Sequence, residues 1–145
     1  IAVTPIQIIR AVGAIANDGI LVTPRVVLTT KTPENKRVIS AESADQITAM
    51  MADAASQGEA KWTNLKGFKV AGKTGTAQIP IAGHYDEERT NASFVGFAPF
   101  DKPKFVMLVT IREPESSPWA SETAAPLWYS IAKDIFPYLG IQPEK

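Results

Sequence analysis

The residues best able to do chemistry lie in one stretch, Gly67 to Gln78, which reads GFKVAGKTGTAQ. Lys73 carries a positive charge, and the hydroxyls of Thr74 and Thr76 can donate hydrogen bonds to a carboxylate. Gly75 has no side chain to obstruct a ligand that approaches the backbone. On an extended edge strand, the N–H of Thr76 can form half of an oxyanion hole. This chemistry suits a strand that pairs with an acidic peptide beside a nucleophile.

The same stretch also fits the phosphate-binding pattern G-x-x-x-x-G-K-[ST], from Gly67 to Thr74. That loop needs a buried strand before it and a helix that opens at the lysine. Residues 62–66 make a poor strand, and residues 74–80 contain two threonines, a glycine and a proline, which disfavour a helix. The apolar run 105–111 ends without a Walker-B aspartate. A P-loop nucleotide-binding protein is therefore the interpretation that the residues favour least.

Composition narrows the classes of function further. The 145 residues suit one domain, and 15 basic residues balance 15 acidic ones. A chain without net charge has no long-range attraction for nucleic acid, so we expect no nucleic-acid partner. With no cysteine and one histidine, the sequence excludes disulfides, thiol catalysis and a His-cluster metal site. We expect no metal.

Helix signals dominate the first part of the chain. Thr4, Pro5 and Gln7 form a capping box with proline at the first position, which predicts a helix over residues 5–17. A second helix is expected over residues 40–56, with Ile47, Met50, Met51 and Ala54 on one core-facing side. Between the helices we expect short extended pieces at residues 20–22 and 26–28 and a turn-rich stretch at 32–37.

From residue 68 onward the pattern becomes that of strands. Val, Thr and Phe predict strands over residues 68–78, 92–98 and 105–111, arranged as an antiparallel meander. The intervening residues 79–91 are expected to form a long loop whose charged residues are its solvated rim: His84, Asp86, Glu87, Glu88 and Arg89. A last helix is expected over residues 124–136, with its apolar stripe packed on the sheet: Leu127, Trp128, Ile131, Ile135 and Phe136.

The context of Lys73 is more specific than the triplet itself. The string VAGKTGTAQ at residues 70–78 closely resembles the signature of class B penicillin-binding proteins, the monofunctional transpeptidases of the cell wall. Further strings match in the family's order: residues 1–7 (IAVTPIQ), 14–19 (AIANDG), 92–99 (ASFVGFAP) and 124–126 (AAP). The resemblance extends from Ile1 to about Phe136.

The resemblance implies a fold. The family has an α/β sandwich of the α+β kind, in which helices flank a five-stranded antiparallel sheet beside an all-helical subdomain. Residues 1–145 resemble the C-terminal portion of this β-lactamase/transpeptidase-like fold, with its last three strands and final helix. The start at Ile1 suggests that the chain was cut from a longer protein, so we expect the upstream half, the nucleophile and any membrane anchor to lie in a companion N-terminal part.

The resemblance also implies roles. Lys73, Thr74, Gly75 and Thr76 would bind the carboxylate end of a D-Ala-D-Ala stem peptide or of a β-lactam, and Lys73 and Thr76 would assist catalysis. The companion part would carry the S-x-x-K and S-x-N motifs, and no cofactor is required. The enzyme would cross-link peptidoglycan on the outer side of the cytoplasmic membrane, in cell division, cell shape or sporulation.

One internal string imitates the missing nucleophile. Ser130 and Lys133 form an S-x-x-K pattern, but the family's nucleophile precedes the K-T-G element, whereas Ser130 follows it in a helix; no S-x-N occurs. We therefore expect a solvent-facing serine and lysine, and a chain that is catalytically inactive on its own. A noncatalytic β-lactam sensor on the same fold and a hydrolytic β-lactamase or carboxypeptidase also remain compatible with the residues.

Overall fold

The structure, a computed structural model, describes residues 3–27 and 34–144. The elements along the chain are α1 (Pro5–Ala16), β1 (Ile20–Leu21), β2 (Lys36–Arg37), α2 (Ala41–Gln57), a short 3-10 turn (Lys61–Thr63), β3 (Ala71–Ile81), β4 (His84–Ala98), β5 (Phe105–Arg112) and α3 (Ala124–Tyr138). Strands β3, β4 and β5 form an antiparallel sheet in that order, while β1 and β2 form a separate pair. The expected α+β class and the meander are confirmed.

Helices cover both faces of the three-stranded sheet. Neighbouring residues of a strand point to opposite faces, so Phe94 of β4 packs against α3 while Phe97 points the other way. On that second face, Phe97 and Ala71 pack with Met51 of α2, and residues of α1 join the cluster. The sheet is therefore the middle layer of three.

The helix α3 is fixed by an aromatic core. Trp128 is fully buried, with its ring 5.4 Å from that of Phe94 and 6.0 Å from that of Phe105. Its indole N–H donates a hydrogen bond to the carbonyl of Met107 at 2.9 Å, which satisfies the one polar atom of a buried tryptophan. This packing settles both the position of α3 and its rotation about its own axis.

The stripe expected on α3 is wrong in two members. Leu127 and Ile131 are 44% and 38% exposed. The buried side of the helix consists of Ala124, Ala125, Trp128, Tyr129, Ala132 and Phe136. Small alanines let the helix approach the sheet closely, whereas a count of apolar letters favours the larger leucine and isoleucine.

Both early helices begin where the sequence predicts. The side-chain oxygen of Gln7 accepts a hydrogen bond from the backbone N–H of Thr4 at 2.7 Å, and the hydroxyl of Ser40 accepts one from the N–H of Ser43 at 3.0 Å. Met50, however, is 62% exposed, so its placement beside Met51 in the core is wrong. The sheet lies against the side of α2 that carries Met51, and the adjacent residue of a helix points about 100° away.

The loop expected over residues 79–91 is instead the outer half of a hairpin. Strand β3 continues to Ile81 and β4 starts at His84, with Ala82 and Gly83 at positive φ in the turn between them, as a two-residue hairpin turn requires. The register shifts between residues 78 and 80. The charged residues expected on a loop rim therefore belong to β4.

The segment between the first two helices differs from the expectation in detail. The predicted extended piece at 20–22 contains β1, which pairs with Lys36 and Arg37 from the stretch expected to be turn-rich. Val26 and Val27 lie outside any strand, and both are exposed. The extended piece expected at 26–28 and the turn-rich stretch expected at 32–37 also include residues 28, 32 and 33, which lie outside the described residues. Across residues 3–27 and 34–144, no helix has the length and apolar character needed to cross a bilayer.

The core around α3 gives a direct test of stability. Replacement of the buried Trp128 by alanine should lower the free energy of unfolding by about 3–5 kcal/mol, since a large cavity is left beside Phe94 and Phe105. The measurement is urea denaturation followed by circular dichroism. The matched control on the same helix is Leu127→Ala, for which we expect a much smaller loss; equal losses for the two variants would contradict the packing described.

Candidate functional site

The four residues singled out in the sequence lie side by side in β3. Lys73, Thr74, Gly75 and Thr76 pair in register with residues 95 to 92 of β4. Among the described residues, β4 is the only strand beside β3, so β3 forms an edge of the sheet, as the extended interpretation requires. A nucleotide-binding loop needs a helix that opens at Lys73, and the strand through this residue contradicts it.

One hydrogen bond between β4 and β5 shows which N–H and C=O groups of β3 point towards β4 and which point away from it. The N–H of Glu113 donates to the carbonyl of Thr90 at 2.8 Å, so the backbone of Thr90 faces β5. Backbone groups alternate in direction along a strand of an antiparallel sheet. The odd-numbered residues 91, 93 and 95 therefore face β3 and form its hydrogen-bonded pairs.

The consequence for β3 is that its odd-numbered residues face β4, while Thr74 and Thr76 direct their N–H and C=O groups away from it. These groups lie on the edge of β3 that no strand occupies in the described part of the chain. An extended ligand could therefore form backbone hydrogen bonds with both threonines without displacing the pairing between β3 and β4.

The side chains of the four residues divide between the two faces of the sheet. Thr74 and Thr76 pair with Phe94 and Ala92 and so point to the face that α3 covers. Lys73 points to the opposite face, but its ammonium turns back to the edge, where it donates to the carbonyl of Thr74 at 3.1 Å and to the hydroxyl of Thr74 at 3.3 Å. The positive charge and the outward-facing backbone groups of Thr74 and Thr76 thus occupy the same edge.

Gly75 has a packing reason for lacking a side chain. A Cβ at this position would lie 2.8 Å from the hydroxyl of Ser93, closer than real contacts allow. That hydroxyl donates to the carbonyl of Gly75 at 3.1 Å, so Ser93 also fixes the strand at its centre. From the sequence we expected the glycine to leave room for a ligand; the structure adds a constraint from within the sheet.

The hydroxyl of Thr76 has a partner that sequence reasoning missed. Its Oγ1 accepts a hydrogen bond from the backbone N–H of Ala120 at 3.1 Å. Ala120 belongs to the connection between β5 and α3, residues 113–123, which we call the β5–α3 loop. Since a lone pair of Oγ1 is engaged by this N–H, the hydroxyl proton of Thr76 remains available for donation to a ligand.

A second threonine holds the same loop on the sheet. The hydroxyl of Thr90, which is buried, donates to the carbonyl of Pro118 at 2.7 Å. The sequence offered one signal for this arrangement, an isolated tryptophan flanked by turn-forming residues in Ser117-Pro118-Trp119. The pairing partners are 28 and 44 residues apart in sequence, too far for a local pattern to identify.

An ion pair lies at the start of the β5–α3 loop. Arg89 donates through Nε to the carboxylate of Glu113 at 2.9 Å, and Arg112 does so at 3.2 Å. The hydrogen bond from Arg89, followed by that from Arg112, lowers the pKa of the Glu113 carboxyl. Both side chains of the Arg89–Glu113 pair remain partly exposed, so the pair orients the loop more than it stabilises the fold.

The remaining residues considered for chemistry lie apart from this edge. Ser130 and Lys133 are on the exposed side of α3, as expected for a surface helix. His84 is exposed at the start of β4. Within the part of the chain that the structure describes, no group of three or more metal-ligating side chains comes together.

Comparison with known proteins gives one consistent family. The family model described as the penicillin-binding protein transpeptidase domain matches residues 1–136. Stage V sporulation protein D of Bacillus subtilis is 36% identical over 158 aligned residues, which cover 100% of this chain and 24% of that protein. A probable peptidoglycan D,D-transpeptidase, PenA of Neisseria flavescens, is 30% identical over 97% of this chain and 36% of its own length.

A solved structure has the same fold. Penicillin-binding protein 3 of Mycobacterium tuberculosis, in a crystal structure with ampicillin, superposes with a TM-score of 0.86 at 28% identity, over 98% of this chain and 36% of that one. The chain thus spans about a quarter to a third of the length of these relatives.

The link between Thr76 and the β5–α3 loop is testable by hydrogen exchange. Thr76→Val keeps the shape of the side chain and removes the acceptor for the N–H of Ala120, a buried residue. The amide of Ala120 should then exchange roughly 5- to 150-fold faster, since an unmade hydrogen bond costs roughly 1–3 kcal/mol. Thr76→Ser keeps the acceptor and should preserve protection.

The control for this experiment is Thr110→Val, which changes an exposed threonine on β5. Exchange at Ala120 should be unchanged in that variant. Protection of the amide that survived in Thr76→Val would show that the loop is held by contacts elsewhere.

Proposed function

This chain belongs to the penicillin-binding protein transpeptidase domain family, and we propose that it supplies the substrate-binding strand of a peptidoglycan D,D-transpeptidase. The ligand of this strand is the D-Ala-D-Ala end of a stem peptide, or a β-lactam that resembles it. The observation that supports the proposal is the edge of β3 that no described strand occupies, where two threonines, a lysine and outward-facing backbone groups come together.

Each group at the edge has a distinct role in binding. The terminal carboxylate of the ligand accepts hydrogen bonds from the hydroxyls of Thr74 and Thr76, and the ammonium of Lys73 supplies the balancing charge. The backbone of the ligand pairs with the edge of β3 as an added strand. Gly75, whose carbonyl accepts a hydrogen bond from Ser93, places no side chain between the two threonines.

The acyl transfer needs a nucleophile outside the four binding residues. In the proposed reaction a serine oxygen attacks the carbonyl carbon of the penultimate D-Ala, and the terminal D-Ala leaves with a proton. An amine of a second strand then attacks the acyl-enzyme, which releases the serine and forms the cross-link. The N–H of Thr76, which points away from β4, donates to the oxygen that gains negative charge in both steps.

We assign the serine to a companion N-terminal part that carries the S-x-x-K and S-x-N motifs, and residues 1–145 to the rest of the transpeptidase domain. The relatives are three to four times longer than this chain, which leaves ample length for such a part. The reaction takes place on peptidoglycan, so we place it on the outer side of the cytoplasmic membrane, with any anchor in the same companion part.

Loss of the charge at the edge should weaken ligand binding. For Lys73→Met we expect affinity for 6-aminopenicillanic acid, a β-lactam nucleus with one carboxylate, to fall roughly 10- to 150-fold, since a hydrogen bond to a charged group is worth about 1.5–3 kcal/mol. The affinity is measured by NMR titration of the amides of residues 73–78. Lys133→Met, a change of an exposed lysine on α3, is the control and should bind as the wild type does.

A labelled penicillin tests the assignment of the nucleophile. After incubation with the 145-residue chain and tryptic digestion, mass spectrometry should find no acylated Ser130. A covalent adduct at Ser130 would overturn both the role of the companion part and the interpretation of Ser130 and Lys133 as surface residues.

A further inference from the structure

A cavity of about 460 Å³ lies between one side of α2 and residues 64–70, which lead into β3. Phe100 and Glu144 complete its walls, and its lining does not include residues 73–76. Its volume falls within the range of about 300–1,000 Å³ that is usual for small-molecule sites. The cavity is therefore a candidate site apart from the edge of β3, and we call it the α2 cavity.

Part of the lining of the α2 cavity is apolar and already fixed. Leu65, Phe68 and Phe100 are half-buried beside it. The ring of Phe68 stacks on that of Phe136, with 4.5 Å between the ring centroids. The backbone N–H of Phe100 donates to the carbonyl of Lys69 at 3.0 Å. A ligand with an apolar body can cover these side chains without first having to order them.

The ammonium of Lys69 is the polar centre of the cavity. Its Nζ lies 2.9 Å from the carboxylate of Asp101 and 2.7 Å from that of Glu144. It also lies 5.9 Å from the centroid of the Phe100 ring. Phe100 and Asp101 are neighbours in sequence, so together they hold the ammonium in place whether or not Glu144 is beside it.

Glu144 is the more exposed of the two acidic partners. Its side chain is 63% exposed, against 46% for that of Asp101, and residues 142–144 are all exposed. The backbone of Glu144 is held separately, since its N–H donates to the carbonyl of Gly67 at 2.7 Å. An ion pair with such an exposed member adds little to stability. The side chain of Glu144 can therefore turn into solvent at small cost while its backbone stays in place.

The ion pair between Lys69 and Glu144 also borders a second space. A cavity of about 200 Å³ is lined by the same two residues, with Asp101 and Ile141 among its other walls. Rotation of the Glu144 side chain into solvent would open both spaces around the ammonium. The carboxylate of Glu144 thus occupies the position that the carboxylate of a ligand would take.

The charges of the lining favour a ligand with one negative charge. Lys66 and Lys69 balance Asp53 and Glu144 among the residues that line the α2 cavity. When Glu144 turns away, one positive charge of this lining is left without compensation. A monocarboxylate restores the balance and accepts a charge-assisted hydrogen bond from the ammonium.

We propose that the α2 cavity binds a small carboxylic acid with an apolar body, and that the carboxylate of this ligand replaces that of Glu144 on Lys69. The apolar body lies against Leu65, Phe68 and Phe100. The site is separate from the edge of β3, and the inference does not depend on the proposed function.

The experiment uses 3-phenylpropionate as the probe and its neutral analogue 3-phenylpropionamide as the control ligand. NMR titration of the 145-residue chain follows the amides of residues 64–70 and of Phe100. The acid should produce saturable shifts there with a dissociation constant of about 1–10 mM, as expected for so small a ligand. The amide should bind roughly tenfold more weakly, because it lacks the charge.

Two variants change the affinity in opposite directions. Lys69→Met should weaken binding of the acid at least about tenfold, since it removes the charged donor. Glu144→Gln should tighten binding about 1.5- to 5-fold, because the acid no longer competes with an internal carboxylate. The control is Lys61→Met, which makes the same change of charge at an exposed lysine outside the lining and should leave the affinity unchanged. Unchanged shifts of the β4 amides verify the fold of each variant.

The gain of affinity in Glu144→Gln is the decisive result, because a purely structural role of Glu144 predicts a loss. The site is overturned if the acid gives no saturable shifts at residues 64–70, if the amide binds equally well, or if Glu144→Gln fails to tighten binding. Shifts confined to residues 73–76 would also overturn it and would leave the strand assignment intact. Lys73→Met should not change the affinity of the α2 cavity for the acid, so a failure of the proposed function is seen separately, with 6-aminopenicillanic acid.

Discussion

The alternation of backbone direction in β4 determines what the edge of β3 can offer. Because Thr90 faces β5, residues 91, 93 and 95 of β4 face β3 and form the hydrogen-bonded pairs with it. This phase turns the N–H and C=O groups of Thr74 and Thr76 outward. A shift of one residue in register would turn outward the groups of Lys73 and Gly75 instead and exchange the faces of all the side chains.

The packing of the sheet maintains that phase from both sides. Phe94 is locked against Trp128 on one face, and Phe97 is locked in the cluster with Met51 on the opposite face. Gly72 contributes as well, since a Cβ there would lie 2.5 Å from the ring of Phe94. The aromatic core therefore determines indirectly, through the register of β3, which backbone groups lie at the exposed edge of the sheet.

Local signals in the sequence were sufficient for the helices, the three strands and the position of the Lys73 triplet. Capping residues such as Thr4 and Ser40 act within one turn, and the strand that contains Lys73 is recognisable from its threonines and from the poor helix that would follow. The hairpin beyond Gln78 could not be foreseen, because Pro80 and the charged residues have low strand propensity. Its end is instead fixed by two pairs across the turn, Pro80 with Tyr85 and Ile81 with His84.

The contacts that complete the site are also nonlocal. The hydroxyl of Thr76 meets Ala120 only after β4 and β5 have folded between them. Likewise, the exposure of Leu127 and Met50 depended on which side of each helix the sheet approached. Apolar periodicity limits the buried side of a helix to a range of angles. The close packing of small alanines against the sheet then determines which residues within that range are buried.

An unpaired strand edge that is suited to a peptide is equally suited to another protein chain. The outward backbone groups of β3 do not distinguish a peptide ligand from the β3 strand of a second molecule, and pairing between two such strands leads to aggregation. The chain limits this risk with two features of the same strand: a charged ammonium beside Thr74, and Pro80, which brings no N–H to the strand. Solubility and the proposed ligand binding therefore place opposite demands on the same few residues of β3.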